Sequence, residues 1–277
     1  MQGGYYSSVG GIATQINRLD VIANNIANAN TTGFKRDDVV IGDFLRLYEQ
    51  HKDFLPIKEQ TKDAAKFYNR SLNRVPQIVE EFTDRALGGM MMTENTLDFA
   101  LGRENAYFMV ETPSGIRFTR DGSFTLNEEG RLVTKEGFPV LPREYIDAPQ
   151  YIDFINGIQM EVDTNGNIFT RSLNNEEINE TLLFSNLAVA SFENPKYLKK
   201  VGDNLYQYPE ERYNEMEFLG QSGAVRQGFL EKSNINVIYE MTGLIETNRL
   251  VEAYSKVLKT HMDELNTEAI TKLATKA

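Results

Sequence analysis

The chain has no cysteine among its 277 residues. That single absence removes disulfide scaffolds, thiolate metal sites, cysteine nucleophiles and dithiol redox motifs together. Histidine is nearly absent too, with only His51 and His261 available as imidazoles. Basic charge is scarce: 29 Lys and Arg stand against 40 Asp and Glu, a formal charge of −11, and no run of basic residues exceeds two. Such a chain lacks the counterion-releasing face that non-specific nucleic-acid binding needs, and anionic lipid repels it. No stretch approaches the roughly 18 apolar residues of a membrane span. The N-terminus, Met1-Gln2-Gly3-Gly4-Tyr5-Tyr6, has neither the basic nor the apolar region of a secretory signal. The expectation is a soluble protein that does not use the signal-peptide route. Fixed-period repeats and low-complexity tracts are also missing.

What the chain does have is strong periodicity at both ends. Apolar residues fall at Tyr5, Val9, Ile12, Ile16, Leu19, Ala23 and Ile26, gaps of four and three in alternation. That is a heptad seam, widened by Ile22. It predicts a helix over residues 4–28, about 37 Å long. The helix stops at Asn30-Thr31-Thr32-Gly33, where Gly33 suits a left-handed position. At the other end Asn236 is a candidate N-cap. Beyond it Val237, Met241, Leu244, Val251, Leu258, Met262 and Leu265 keep the same register, which passes through polar Asn248 and Ser255. Ile238, Ile245 and Leu250 broaden that face, and the predicted helix covers 236–273. A helix with a heptad seam calls for a helical partner, and each end supplies one. The two are expected to pair as a coiled coil, leaving Ile22, Ile26, Ile238 and Ile245 to dock against other copies. The alternative is a helical hairpin closed over a globular core.

Between the ends the period changes to two. Tyr107-Phe108-Met109-Val110 precedes the turn signal Pro113-Ser114-Gly115, and Ile116 to Arg120 alternates before Asp121-Gly122, which offers a type I′ turn. Thr164-Asn165-Gly166-Asn167 is a strong hairpin signal. Short strands at intervals of roughly ten residues predict an all-β barrel or sandwich over 97–230. The expected class is α+β: an inner-core domain from 1–36 and 231–277, a β domain over 97–230, and an extended, partly irregular connector over 37–96. Within that connector, Asp43-Phe44-Leu45-Arg46-Leu47-Tyr48 is compatible with a further helix.

Catalytic constellations are missing. Asp163-Thr164-Asn165-Gly166-Asn167 has its glycine one place early for a calcium loop and no glutamate at the twelfth position. Gly220-Gln221-Ser222-Gly223 lacks the spacing of a nucleophile elbow. The acidic pairs Glu80-Glu81, Glu128-Glu129, Glu176-Glu177 and Glu210-Glu211 read as solvated faces, and Met90-Met91-Met92 as an adaptable patch or core filling. No enzyme, cofactor or metal is expected.

The segment Ile22-Ala23-Asn24-Asn25-Ile26-Ala27-Asn28-Ala29-Asn30-Thr31-Thr32-Gly33-Phe34-Lys35 resembles the signature of the bacterial flagellar axial proteins, the rod and hook subunits. The resemblance continues through Leu97-Asp98-Phe99-Ala100-Leu101, through 118–124 and 137–140, and through 227–236 to Glu240-Met241. Its motif positions here are Asn24, Asn25, Asn28, Thr32, Gly33, Phe34, Lys35, Asn234, Asn236, Glu240 and Met241. It implies that the terminal helices form an inner tube on assembly. The residues assigned to that interface are Val9, Ile12, Ile16, Leu19, Ile22, Ala23, Ile26, Val237, Ile238, Met241, Leu244, Ile245, Val251 and Leu258. It further implies an outer β layer, and a connector that braces neighbouring subunits. The implied partners are other copies of the chain, neighbouring rod proteins and the flagellar type III export apparatus. The surrounding periplasmic ring is a further candidate, and nucleic acid and lipid-spanning contacts are not implied. The implied location is the periplasm-spanning rod of the basal body, reached without a cleaved signal. The family's glycine pair reads Gly102-Arg103-Glu104 here, and its arginine-tyrosine-glutamate run reads Arg249-Leu250-Val251-Glu252-Ala253-Tyr254. These departures lean toward a proximal-rod paralogue, while the long connector keeps a distal rod subunit as the alternative. A secreted binding module built on the β domain ranks behind both.

Overall fold

A computed structural model describes residues 2–43, 76–146, 148–154, 158–172, 182–219 and 224–274. The chain divides into two compact units, each assembled from segments far apart in sequence. A helical unit takes residues 1–27, 36–84 and 235–277; a β unit takes 28–35 and 85–234.

In the helical unit, α1 (Gln2–Ala27) and α2 (Val237–Ala274) are the two long helices. α2 starts where the sequence indicates: Asn236 Oδ1 accepts from the amides of Ile238 (3.1 Å) and Tyr239 (3.2 Å), two donors the first turn otherwise leaves orphaned. The helices pack antiparallel. A Cβ on Gly11 would stand 2.8 Å from the Tyr254 ring, and one on Gly243 3.5 Å from Ile22 Cδ1. Strands β1 (Asp37–Asp43) and β2 (Pro76–Thr83) form an antiparallel ladder from Asp37 opposite Thr83 to Asp43 opposite Pro76, with a bulge at Val40/Ile41. Within the expected extended, partly irregular connector over 37–96, residues 37–43 and 76–83 are therefore paired strand. The helix considered over 43–48 lies outside the described residues from Phe44 onward, and Asp43 itself closes β1. Among the described residues no helix is long and apolar enough to cross a membrane.

The β unit contains the strands β3 (Met90–Met92), β4 (Phe99–Leu101), β5 (Ala106–Thr112), β6 (Gly115–Thr119), β7 (Thr125–Leu126), β8 (Leu132–Val133), β9 (Ile158–Val162), β10 (Asn167–Ser172), β11 (Leu182–Asn186), β12 (Val189–Phe192), β13 (Lys199–Gly202), β14 (Leu205–Gln207), β15 (Met216–Phe218), β16 (Val225–Gln227) and β17 (Phe229–Glu231). Its main sheet has six strands in the order β13-β14-β6-β5-β12-β15, all antiparallel neighbours. Around it stand the three-stranded sheet β11-β10-β9 and the pairs β16-β4, β17-β3 and β7-β8.

Of the barrel or sandwich expected from the strand spacing, the closed barrel is not formed: among the described strands no sheet closes, and β13 and β15 end the main sheet as edges. Strand spacing reports hairpins, whereas closure depends on a pairing between first and last strands that no local pattern encodes. The main sheet is buried on both faces. Phe108 and Val110 point into one apolar cluster with Phe99, Phe124, Leu132 and Ile168, while Tyr107 and Met109 point into another with Phe118, Phe192, Tyr206 and Tyr208. Two-sided burial is why β5 reads as an unbroken apolar run. The Asn165-Gly166 turn joins β9 to β10 with Gly166 at φ +85°. Asp121-Gly122 makes no hairpin; the Asp121 carboxylate instead accepts from Ser123 N (3.0 Å) and Ser123 Oγ (2.5 Å), while β6 pairs with β5 and β14.

Candidate functional site

The two helices do not meet along the seam that hydropathy selects. In α1 the buried positions are Ser8, Gly11, Thr14, Gln15, Ile22 and Asn25. Apart from Thr14, these fall one residue before the expected Val9, Ile12, Ile16, Ala23 and Ile26. Thr14 faces the strand ladder, donating to Pro76 O at 2.8 Å. In α2 the inward positions are Val237, Glu240, Leu244, Thr247, Val251, Tyr254, Leu258 and His261. Half the expected register stands; Glu240, Thr247, Tyr254 and His261 replace Met241, Asn248, Ser255 and Met262.

Polar bonds at the motif residues hold this register. Asn25 Nδ2 donates to Asp37 O (2.8 Å) and its Oδ1 accepts from Asp37 N (3.0 Å), so one amide mimics a strand partner for the start of β1. Asn25 Nδ2 also lies 3.4 Å from Glu240 Oε2. Arg36 Nε donates to Glu240 Oε1 (2.5 Å) and its Nη2 to Asp38 Oδ2 (2.9 Å), with the guanidinium 5.3 Å from the Tyr239 ring centre. Burial alone would lower the Arg36 pKa; its hydrogen bond to Glu240 and the charges of Asp38 and Glu240 outweigh that and raise it. Glu240, itself buried, lies in the first turn of α2, where a carboxylate also favours the helix dipole.

A second cluster lies wholly inside the β unit. The Glu231 side chain is fully buried and shared by two fully buried cations. Lys35 Nζ donates to Glu231 Oε1 (2.6 Å) and to Ala86 O (2.7 Å). Arg120 places Nη2 (2.5 Å) and Nε (2.9 Å) on Glu231 Oε2, and spends its remaining donors on the carbonyls of Leu101, Arg103 and Ala106. Gly88 N adds a bond to Glu231 Oε1 at 2.9 Å. Just before Lys35, Gly33 adopts φ +67°, and a Cβ there would fall against the Arg120 carbonyl, so only glycine fits without strain. Thr32 donates to Asp121 Oδ1 (2.7 Å), and Lys200 Nζ sits 4.0 Å over the Phe34 ring while donating to Lys35 O (2.6 Å).

The structure thus brings Asn25 and Glu240 together in one unit, and Thr32, Gly33, Phe34 and Lys35 together in the other. Asn234 donates to Ala86 O (3.2 Å), and Asn28 Oδ1 accepts from Thr31 Oγ1 (3.2 Å), whereas Asn24 and Met241 are exposed. Of the residues assigned to assembly, Val9, Ile16, Ala23, Ile238, Met241 and Ile245 are exposed. Ile12, Leu19, Ile26, Val237, Leu244, Val251 and Leu258 are half-buried. Ile22, expected on an outer docking face, is instead buried at 6% against α2.

Sequence reasoning did not single out Arg36, Arg120 or Glu231. The available signal was alternation itself, which puts Arg120 on the strand face of Ile116 and Phe118 and Glu231 on that of Phe229, so that each charge falls at an apolar-face position. No group of three or more His, Asp or Glu among the described residues is arranged to hold a metal ion.

Polar groups committed to internal joints, with apolar side chains exposed along long terminal helices, define a structural subunit. The comparisons give the family. The model described as "Flagella basal body rod protein" matches residues 6–35, "Flagellar hook protein FlgE/F/G D1 domain" matches 103–170, and "Flagellar basal body rod FlgEFG protein C-terminal" matches 226–271. The chain is similar to the flagellar basal-body rod protein FlgG of Buchnera aphidicola subsp. Baizongia pistaciae, 32% identical over 252 residues, 90% of this chain and 91% of that protein. FlgG of Borreliella burgdorferi is 28% identical over 272 residues, 92% and 93% of the two chains. FlgF of Caulobacter vibrioides is 30% identical over 258 residues, 92% and 91%. The chain belongs to the flagellar basal-body rod protein family, of FlgF/FlgG type. It is a structural protein of the basal body and not an enzyme.

Proposed function

We propose that this subunit assembles helically with copies of itself and with neighbouring rod proteins, and that the assembly transmits torque from motor to hook. One observation carries the reading. α1 and α2 spend Ser8, Gly11, Gln15, Asn25, Glu240 and Thr247 on the faces they turn inward, and leave Val9 (41%), Ile16 (45%), Ile238 (78%) and Ile245 (54%) in water. Fully burying such a side chain stabilises by about 1.5–3 kcal/mol, and contacts with other subunits would supply that burial. In this reading the pair acts as a two-helix coiled coil, and repeated, non-closing contacts between different patches build a filament rather than a ring. The family resemblance supports export through the flagellar type III apparatus, and an outward β unit that meets neighbouring subunits or the surrounding periplasmic ring.

Position along the rod is proposed as proximal, on the departures at Gly102-Arg103-Glu104 and 249–254; identities of 32% to a FlgG and 30% to a FlgF do not separate the two names. A distal position is the alternative, and locating this chain by cryo-electron microscopy of isolated basal bodies decides between them. The assembly reading is tested by Ile16→Asp and Ile245→Asp. Thermal unfolding of the purified chain should stay within about 2 °C of wild type, because both sites are solvated, while incorporation into basal bodies and swimming are lost. Normal rods and motility in the double variant would overturn the reading.

A further inference from the structure

The edge strands of the β unit are treated unequally. At β9, an edge of the three-stranded sheet, the Gln227 amide stands in for a strand: Val162 N donates to Gln227 Oε1 (2.9 Å) and Gln227 Nε2 donates to Met160 O (3.2 Å). β13, an edge of the main sheet, carries Lys199, Lys200 and a bulge, which discourage pairing with another chain. β11, the other edge of the three-stranded sheet, reads Leu182-Leu183-Phe184-Ser185-Asn186 without a charge, and Leu183 is 60% exposed. Such an edge is open to a neighbour. Leu183 lines a groove of about 490 Å³ together with Asn167, Asn186, Arg143 and Phe218, the last from edge strand β15. Arg143 is the one charged residue in that lining; its guanidinium stands 5.9 Å from the Phe218 ring centre. The adjacent Glu144 carboxylate is engaged by Asn186 Nδ2 (3.1 Å), and Arg143 forms no ion pair among the described residues. We infer that this groove receives the acidic turn at residues 126–130 of a second copy of the chain.

Charge selects the occupant. The chain carries −11, so a groove whose lining is cationic is attracted to most of another copy's surface, and matched signs also reject wrong dockings. The turn after β7 complements the groove in two respects. Glu128 and Glu129 are exposed there, Glu129 at 70%, and Leu126 beside them is 42% exposed. Arg131 is held by Asp153 (2.9 Å) and lies 3.6 Å from Glu129, so these four groups remain acidic on balance. Among the other described acidic pairs, Glu80-Glu81 lies inside the β1-β2 ladder, and Glu210-Glu211 has no exposed apolar neighbour in sequence. The 126–130 turn is also built before docking: Asn127 Oδ1 accepts from Glu129 N (3.0 Å) and Arg131 N (2.8 Å), and Gly130 N donates to Asn127 O (3.0 Å). A preformed turn loses less conformational freedom on binding. Leu126 then covers Leu183 and Phe218, and the carboxylates meet Arg143. Turn and groove are different patches, so the contact is heterologous and repeats from copy to copy. The inference rests on the assembly reading and adds to it a contact between β units.

Charge reversal in the full chain tests it. Arg143→Glu, and separately Glu128→Lys/Glu129→Lys, should each lower incorporation into isolated basal bodies at least about fivefold, because each sets like charges together. All three sites are exposed, so the purified variants should unfold within about 2 °C of wild type. Combining the three substitutions restores the pairing with signs exchanged, and incorporation should return to within about twofold of wild type. Unchanged incorporation in Arg143→Glu overturns the inference, as does a combined variant no better than its parents. The absence of native cysteine allows a second measurement that does not depend on reversed charge. Basal bodies from cells producing both Glu129→Cys and Arg143→Cys chains are treated with a short bismaleimide. A linked pair holding one chain of each kind supports the contact, and its absence rejects it. Rods lost in Ile16→Asp/Ile245→Asp but normal in Arg143→Glu would refute this contact alone; rods normal in both would refute the assembly reading as well.

Discussion

Asn25 shows how much one short side chain fixes. Its amide donates to and accepts from the backbone of Asp37, tying the last turn of α1 to the first residue of β1 with a single group. An alanine there leaves both Asp37 backbone groups without these partners, and it removes a neighbour of Glu240. Asn25→Ala should therefore destabilise the helical unit by about 1–3 kcal/mol. A lowered urea midpoint together with faster exchange at the Asp37 amide would show it; an unchanged Asp37 exchange rate would refute it. The apolar periodicity of α1 does not include Asn25, and polarity alone does not tell a solvated amide from one that is buried and satisfied. The same limit applies to Lys35 and Glu231, both fully buried and paired at 2.6 Å.

At the scale of elements, the start of α2 was legible and its facing side was not. Asn236 precedes an apolar run, and the structure shows its side chain on the amides two and three residues ahead. Replacing it with alanine should cost about 1 kcal/mol, read as a drop in the thermal midpoint with loss of protection confined to the first turn of α2. The seam is another matter. Adjacent helix positions differ by only about 100°, so a stripe broadened by Ile22, Ile238 and Ile245 leaves the inward direction open. Asn248 and Ser255 within the expected seam were the visible warning. The structure turns both outward and puts Thr247 and Tyr254 inside. A small residue contributes physically: Gly11 admits Tyr254, whose ring a Cβ there would meet at 2.8 Å, whereas a Cβ on Gly243 would make ordinary contact with Ile22.

For the molecule as a whole, the β unit carries a predictable alkaline limit. Burial raises the pKa of Tyr107, Tyr145, Tyr208 and Tyr213 above the ordinary 10.0, and hydrogen bonds to Glu111 and Glu215 add to the shift for Tyr145 and Tyr208. In the unfolded chain these phenols lose protons near pH 10; in the folded chain they hold them to higher pH. Above about pH 10 the unfolded state thus binds fewer protons, and stability falls as pH rises. Chemical unfolding of the β unit should give a midpoint that these groups leave flat up to about pH 9.5 and lower beyond it. A midpoint rising above pH 10 would contradict the assignment.

Local periodicity, capping and turn chemistry determined the two terminal helices, the cap at Asn236, the hairpin at Asn165-Gly166 and the continuous apolar strand at 107–110, because each depends on residues within one or two turns of chain. Composition excluded thiol chemistry before any fold was known. Tertiary structure alone decided which faces of the helices meet, that the main sheet stays open, and that Lys35, Arg120 and Glu231 are buried together. Those outcomes depend on partners brought from distant parts of the chain, 196 residues away for Lys35 and Glu231 and 215 for Asn25 and Glu240. A charge is affordable inside a protein only where its counterpart arrives, and no local pattern records that arrival.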